Sequence, residues 1–328
     1  MTPEKKASRS IRVLVIFPGA LGDLMCLMPA LGAISRRHPG ASIELMARLE
    51  LARLAAGRTV VARGHSIDAR EVGELFTEPG AESDETPVSA NARRFFADFD
   101  RIYSFFASDD WRFRARLAAG TDGHVSFHPF RPSGDGHVSA AYLRAIEIDE
   151  AASLVYSRLE PTADDLAAAA RAIVQSKCDS SNLIVIFPGS GSPGKNWPAD
   201  KFAALASELS LSNRASVAVI LGPAEMSMEP IFRESGVPVL KHLDLPTVAA
   251  ITRLASAFVG VDSGVSHLAA ATGASGVVIF GPTDPARWRP QPPGGRGRIE
   301  VLRHDPIDSI GEDEVADALS KFVAQRQT

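Results

Sequence analysis

Three short stretches combine glycine with polar side chains, and they are where this chain could do chemistry. They read GALGDL from Gly19, GSGSPGK from Gly189 and DSGVSH from Asp262. Glycine lets a backbone approach a ligand closely, and the first amides of a following helix attract anions. The three stretches therefore predict a site for a phosphate-bearing ligand, with carboxylates at hand for proton transfer.

In the first stretch, Gly19 and Gly22 flank a tight turn, and Asp23 stands at the mouth of the helix that follows. Spacing alone leaves two interpretations open. The Asp23 carboxylate could cap free helix amides, or it could face a ligand and take a proton from a hydroxyl.

The second stretch nearly matches a phosphate-binding P-loop, because the segment Gly189–Lys195 spaces its glycines and lysine as a P-loop does. Asn196 stands where a P-loop has its magnesium-binding Ser or Thr, so a P-loop kinase is a disfavoured alternative. Small residues such as Ser190 and Gly191 still allow backbone amides to reach a phosphate. Lys195 is then either a point charge for that phosphate or a solvated surface lysine.

In the third stretch, a strand ends at Asp262 and the chain turns at Ser263 into a helix. That helix opens with Gly264, Val265, Ser266 and His267. Free amides and the positive end of a helix dipole suit a diphosphate, and Asp262 could accept hydrogen bonds from sugar hydroxyls. On spacing alone, His267 is predicted to be a hydrogen-bonded structural histidine.

The elements around these stretches predict an α/β protein of two Rossmann-like, doubly wound domains. The pentapeptide VIFPG occurs at Val15–Gly19 and again at Val185–Gly189, each time as an apolar strand broken by Pro-Gly. Strands and helices alternate after each copy, as in parallel α/β layers, which bind ligands at the carboxyl ends of their strands. The segment LEPTA, residues 159–163, predicts the boundary between domains at residues 1–160 and 161–328.

Two parts of the first half give no clear pattern. Residues 63–91 are polar without a period, and residues 121–136 look like a loop. Between them, the run RFFADFDRIYSFF from Arg94 to Phe106 fits either a helix or a strand.

Composition narrows the class of protein and its compartment. A net charge of −4 gives no reason to expect nucleic acid as a partner. The two cysteines, Cys26 and Cys178, fit a reducing cytoplasm. The chain has no run of 18 uninterrupted apolar residues, so no membrane-spanning helix is predicted. The arginines between Arg287 and Arg303 either meet anionic lipid at the inner face of the plasma membrane or form a solvated loop. The expected location is cytoplasmic, with that peripheral contact as an option.

Together the motifs resemble glycosyltransferase family 9, the ADP-heptose:lipopolysaccharide heptosyltransferases. The resemblance rests on Gly22-Asp23 with Pro29-Ala30-Leu31, on Lys195-Asn196-Trp197-Pro198, on the run Asp262–Ala270 and on the run Phe280–Pro285. It implies a GT-B fold, with two Rossmann-like domains facing a central cleft and the C-terminal helix packing back on the first domain. The first domain would bind the acceptor and the second the donor.

The resemblance also implies an activity. It is an inverting, metal-independent transfer from an ADP-linked sugar donor to a lipopolysaccharide core or similar glycan acceptor, free or lipid-linked, with no cofactor. Asp23 would be the base, while Lys195 and Ser190 with the amides of Gly264–Ser266 would hold the diphosphate. Asp262 would contact the donor sugar, and Glu225 the nucleoside ribose.

Other classes stay open at this stage. A relative of the family that binds nucleotide or glycan without turnover would keep the same motifs, although Asp23 and Lys195 argue for activity. A NAD-dependent oxidoreductase is disfavoured, because neither VIFPG turn continues as Gly-x-Gly-x-x-Gly with an acidic residue about 20 positions on.

Overall fold

A computed structural model describes residues 10–76, 88–148, 155, 158–179, 182–211 and 215–323. These residues divide into two compact units. The first unit takes its residues from Met1–Gly19, Ala30–Ser133 and Leu143–Ser153, and the second from Ala20–Pro29, Gly134–Tyr142 and Leu154–Thr328. Two short segments from the N-terminal part of the chain therefore pack with the second unit. The predicted ranges 1–160 and 161–328 stay a prediction for separate domains.

The first unit is built on a five-stranded parallel sheet in the order β3-β2-β1-β4-β5. Its strands are β1 Arg12–Ile16, β2 Ser42–Ala47, β3 Val61–Ser66, β4 Arg101–Ser104 and β5 His124–Phe127. The helices in this part of the chain are α1 Leu21–Arg37, α2 Leu49–Ala55, α3 Arg70–Gly73, α4 Ala90–Phe96, α5 Trp111–Ala119 and α6 Val138–Ala145.

The second unit is built on a six-stranded parallel sheet in the order β11-β10-β9-β6-β7-β8. Its strands are β6 Leu183–Phe187, β7 Ser216–Leu221, β8 Val239–Lys241, β9 Ala257–Val261, β10 Gly276–Phe280 and β11 Ile299–Arg303. Its helices are α7 Ala163–Gln175, α8 Ala199–Leu211, α9 Glu229–Glu234, α10 Leu245–Leu254, α11 Gly264–Ala271, α12 Pro285–Trp288 and α13 Glu312–Val323.

The two VIFPG copies end the two central strands, β1 and β6. Each of these strands lies where the strand order reverses, β1 between β2 and β4 and β6 between β7 and β9. Both are apolar runs buried on both faces, as central strands of parallel sheets are. The topological switch point of each sheet, where open α/β folds bind ligands, thus lies at the Pro-Gly break of each repeat.

The C-terminal helix α13 contributes to the core of the second unit. Its buried apolar residues recur with helical spacing and belong to the core of the second unit: Val315, Ala318, Leu319 and Phe322. The helix packs on α8, β9 and β10. This apolar stripe is buried in the second unit, and packing of the helix back on the first domain stays a prediction.

The regions that gave no sequence pattern contain edge elements. Residues 63–91 include most of β3 together with α3, and residues 121–136 include β5. The ambiguous run from Arg94 to Phe106 divides into the end of α4 and the strand β4. Residues 77–87 lie outside the described part of the chain. Every helix in the described part is too short or too polar to cross a membrane.

Candidate active site

The switch point of the second sheet gathers two of the three glycine stretches. β6 and β9 are hydrogen-bonded neighbours, with Phe187 opposite Gly260. The GSGSPGK stretch follows β6 and the DSGVSH stretch follows β9, so both leave the same edge of the sheet. At Gly260 a methyl group would lie 2.5 Å from Ser266 Oγ, and only glycine fits there. The sequence stretches 189–195 and 262–267 are therefore parts of one site.

A charged cluster links these loops. Lys195 Nζ lies 2.8 Å from Asp262 Oδ2, and Thr283 Oγ1 donates to the same oxygen at 2.7 Å. Asp262 is only 6% exposed, so its carboxylate depends on these two partners for compensation. Lys195 is thus part of a structured ion pair and is more than a solvated lysine.

Thr283 is a site residue that sequence analysis did not single out. It lies in the loop after β10, the strand next to β9, so sheet order brings it to Asp262. The available signal was the FGPTDP turn, which follows its strand at the same edge of the sheet as the other loops.

The first turn of α11 leaves amides available for an anion. Ser263 is the N-cap, and its Oγ accepts from the Ser266 amide at 3.4 Å. Ser266 Oγ in turn donates to the Val261 carbonyl at 2.7 Å. The amides of Gly264 and Val265 have no hydrogen-bond partner among the described residues, and both residues are partly exposed. This helix start can hold a phosphate oxygen.

The loop after β6 is closed on itself and differs from a P-loop. Ser190 Oγ lies 2.7 Å from Asn196 Oδ1 and 2.8 Å from the Ser192 carbonyl, so Asn196 closes the loop. Lys195 ends a short 3-10 turn, and the next helix begins only at Ala199. A P-loop lysine opens its helix directly, so this geometry disfavours the kinase alternative.

Glu225 folds over two glycines of this edge. Its side chain occupies the space that a methyl group on Gly189 would need, and a methyl group on Gly222 would lie 2.7 Å from Glu225 Oε2. Gly191, in contrast, has nothing within 4 Å of such a methyl group and leaves open space beside the loop. Glu225 therefore lies against the loop that follows β6, and its contact with a nucleoside ribose stays a prediction.

The first glycine stretch also reaches this site, because residues 20–29 belong to the second unit. A methyl group on Gly264 would lie 3.0 Å from both the Gly22 nitrogen and Leu21 Cβ. The start of α1 and the start of α11 are therefore in backbone contact. Gly19, which ends the VIFPG repeat, is buried directly after β1.

Asp23 stands in the first turn of α1, where it is partly exposed. Its Oδ2 accepts from the Ala20 amide at 3.0 Å. This bond is the capping interaction that spacing allowed, and it fixes the orientation of the carboxylate without burying it. The capping role and a role toward a ligand are compatible, because one carboxylate can accept several hydrogen bonds.

His267 and Cys26 form the buried floor below these loops. Cys26 Sγ lies 3.8 Å from His267 Nδ1, and the His267 ring also hydrogen-bonds to the backbone of Trp288. Burial lowers the pKa of His267 to about 4, against the opposing effect of Asp262, so the imidazole is neutral near pH 7. These contacts support the structural role that spacing predicted for His267.

The Cys26 thiol is also held in its neutral form. Its pKa is raised by burial first and then by the negative charges of Asp23 and Asp262. Both carboxylates therefore act on the same buried sulfur. Reactive thiols need a lowered pKa, so Cys26 is a packing residue of the floor.

Metal binding has no candidate set in the described part of the chain: no three His, Cys, Asp or Glu side chains there are grouped as ligands. Lys195 and the amides of Gly264 and Val265 are groups of this site that could bind a negatively charged ligand. The prediction that the reaction needs no metal stays a prediction.

Comparison with known proteins finds similarity to the family that the motifs resemble. The family model described as Glycosyltransferase family 9 (heptosyltransferase) matches residues 145–297. Lipopolysaccharide heptosyltransferase 1 of Escherichia coli O18:K1:H7 is 23% identical over 333 residues, which cover 96% of this chain and 98% of the relative. The protein of the same name from E. coli K12 is 23% identical over 318 residues, covering 92% of this chain and 95% of the relative.

Solved structures share the whole fold. A family 9 glycosyl transferase from Veillonella parvula aligns with a TM-score of 0.76 at 18% identity, covering 96% of this chain and 98% of that chain. The E. coli ADP-heptose lipopolysaccharide heptosyltransferase II aligns with a TM-score of 0.75 at 20% identity, covering 97% and 100%. The prediction of a GT-B fold with two Rossmann-like α/β domains is confirmed. Family model, near-full-length relatives and fold agree, and all three show similarity of this chain to glycosyltransferase family 9, the heptosyltransferase family.

Proposed function

We propose that this chain transfers a heptose, or a closely related sugar, from an ADP-linked donor to a lipopolysaccharide core or similar glycan, with inversion and without a metal. The observation that carries the proposal is the contact between Gly22 and Gly264. It holds the carboxylate-bearing start of α1 against the phosphate-binding start of α11. The names of the relatives support heptose and lipopolysaccharide as the substrate classes.

The donor half of the site is formed by Lys195 and the free amides of α11. In the proposed reaction the bond between the anomeric carbon and the diphosphate breaks, and negative charge grows on the leaving diphosphate. Lys195 and the amides of Gly264 and Val265 are oriented before the reaction and stabilise that charge. Lys195 exchanges its contact with Asp262, wholly or in part, for the phosphate oxygens.

The acceptor half depends on Asp23. Its carboxylate takes the proton of the acceptor hydroxyl as that oxygen attacks the anomeric carbon from the face opposite the diphosphate. The hydrogen bond from Ala20 keeps the carboxylate in one orientation during this step. Attack from the opposite face inverts the configuration at that carbon.

The experiment that tests the donor is thermal unfolding with ADP, UDP, GDP, CDP, magnesium-ATP and NAD in parallel. A ligand at about 100 times its Kd stabilises the folded state by about 2.7 kcal/mol. We expect selective, magnesium-independent stabilisation by ADP. Selectivity for UDP or GDP would replace the donor, and stabilisation by magnesium-ATP alone would revive the kinase.

Turnover separates an enzyme from a protein that only binds. Purified protein is incubated with ADP-heptose and lipopolysaccharide precursors of increasing core length, and ADP release is measured. Release that depends on the acceptor supports transfer. Donor binding without release from any acceptor, in a protein that unfolds cooperatively, would favour the inactive binding protein. The cytoplasmic location remains a prediction that fractionation of cells would check.

A further inference from the structure

The second unit has a separate pocket at the opposite edge of its sheet. It lies at the amino ends of β9 and β10, whereas the candidate active site lies at the carboxyl ends. The pocket has a volume of about 160 Å³ and is lined by Arg253, Ala255, Ser256, Gly273, Ala274, Ser275 and Phe322. One ordered water needs only about 10–15 Å³ measured in this way, so the pocket is large enough for a multi-atom group.

One arginine lines this pocket, and three others lie near its lining residues. Arg253 lines it directly. The side chains of Arg158 and Arg296 lie beside Gly273, with Arg158 Nε 3.9 Å and Arg296 Cβ 3.4 Å from the position of an added methyl group. The Arg298 guanidinium lies over the Phe322 ring, 6.0 Å from its centroid. Arg296 and Arg298 belong to the basic stretch Arg287–Arg303 described above. They precede β11, whereas Arg303 is the last residue of that strand and lies at its far end.

The positive charge of the four arginines is not balanced by nearby protein groups. Arg158 pairs with Glu160 at 3.0 Å and donates to the Thr272 carbonyl at 3.2 Å. Among the described residues, Arg253, Arg296 and Arg298 have no carboxylate within 4.0 Å. The helices α10 and α11 end here, and their two carboxyl termini contribute about one negative charge together. About two positive charges therefore remain uncompensated.

Two further observations indicate that the pocket is suited to bind an anion. Ser256 is 7% exposed, lines the pocket, and its Oγ has no hydrogen-bond partner among the described residues. Buried hydroxyls without a partner are rare, and a missing ligand is one of their ordinary causes. The pKa of Arg158 is lowered by burial first and then by the neighbouring charges of Arg253 and Arg296. The positive charges of Arg253 and Arg296 thus repel that of Arg158.

We propose that this pocket binds a phosphate group, carried either by a small phosphorylated molecule or by an anionic lipid headgroup. Arginine is suited to this task because its planar guanidinium binds phosphate through two parallel hydrogen bonds. The inference rests on the second unit alone and does not depend on the proposed sugar transfer.

The test is calorimetric titration with inorganic phosphate in a buffer without other polyvalent anions. A Lys195→Ala background removes the phosphate contact of the candidate active site. We expect saturable binding in this background, weakened about tenfold or more by added Arg253→Gln or Arg296→Gln. Arg233→Gln is the matched control, because Arg233 is an exposed arginine of α9 at the other side of the sheet. Absence of saturable binding, or equal binding with and without Arg253, would overturn the proposal.

The source of the phosphate is separated by a second arm. Vesicles of phosphatidylglycerol and of phosphatidylcholine are sedimented with the protein, with and without free phosphate. Binding to phosphatidylglycerol that requires Arg253 and is displaced by phosphate supports the pocket and identifies a lipid headgroup. Arg253-dependent phosphate binding without vesicle binding supports the pocket and identifies a small molecule. Thermal unfolding of each variant verifies that the folded state is retained.

Discussion

Gly22 and Gly264 are in backbone contact although one opens the first helix of the chain and the other opens α11. A methyl group on Gly264 would lie 3.0 Å from the Gly22 nitrogen, closer than packed protein atoms tolerate without movement. Gly22 directly precedes Asp23, and Gly264 follows Asp262 by two residues. The two residues without side chains therefore set the spacing of the two acidic loops.

This contact predicts unequal effects of two similar substitutions. Gly264→Ala places its methyl group against Gly22 and Leu21, and we expect a loss of about 1–3 kcal/mol in the free energy of unfolding. Gly22→Ala meets Gly264 Cα at 3.5 Å and His267 Cδ2 at 3.7 Å, which are ordinary contacts, so its cost should be small.

The measurement is chemical denaturation of both variants beside Gly73→Ala, where an added methyl group meets nothing within 4 Å. If Gly264→Ala were as stable as the control, the two helix starts would not be in contact as described.

Asp23→Asn should separate binding from turnover. The asparagine oxygen can still accept from the Ala20 amide, so the start of α1 is retained, while the base for the acceptor hydroxyl is lost. We expect turnover to fall by about 10²–10⁴-fold, the usual contribution of a general base, with donor affinity unchanged. Initial rates and donor titration on the same preparation provide the check. Turnover within a few-fold of the unmodified enzyme would remove Asp23 from the mechanism.

Lys195→Met removes the cation from the buried Asp262 carboxylate and leaves it the hydrogen bond from Thr283. We expect a stability loss of about 1–3 kcal/mol and donor binding weaker by about tenfold or more. Lys241→Met is the matched control, because Lys241 pairs with Glu229 at 2.6 Å at a more exposed position. Exposed pairs contribute about 0–1 kcal/mol. Equal losses in both variants would indicate that burial of Asp262 is energetically unimportant.

His267 predicts a pH dependence of stability. Its pKa is about 4 in the folded protein and about 6.5 in an unfolded chain, so the unfolded state binds more protons between these values. Stability is therefore full above pH 6.5 and is lost as the pH falls toward 4. The groups that act on the ring are Asp262, which raises its pKa, and His137 and Lys195, which lower it.

We expect His267→Asn to flatten the stability profile between pH 7 and 4 by about 3 kcal/mol relative to the unmodified chain. His124→Asn, at an exposed position of β5, is the control. The slope should not vanish, because His128 and His137 also have pKa values lowered by burial. Parallel profiles for His267→Asn and the unmodified chain would refute the buried neutral imidazole.

The sequence predicted the central strands well and the edge strands poorly, for a physical reason. β6, β9 and β10 are buried on both faces and therefore read as unbroken apolar runs. The two strands in the stretches without a clear pattern, β3 and β5, are the two edges of the first sheet. Edge strands carry polar and charged residues, as the VARGHS sequence of β3 does, so no apolar period marks them.

The candidate site was predictable where a motif and a strand end coincide, as at Asp262 and Lys195. The partner Thr283 was not, because threonine is common and only the order β9-β10 brings it to Asp262. The contact of Gly22 with Gly264 was also beyond the sequence, since spacing along the chain does not encode which helix starts meet.

The segments 20–29 and 134–142, which pack with the second unit, limit how this enzyme can be recombined with its relatives. A chimaera joined near residue 160 would set Leu21, Gly22 and Cys26 of one parent against Gly264 and His267 of the other. Grafting the second unit of a relative therefore requires transplanting three pieces of sequence, because three separate stretches of the chain form that unit.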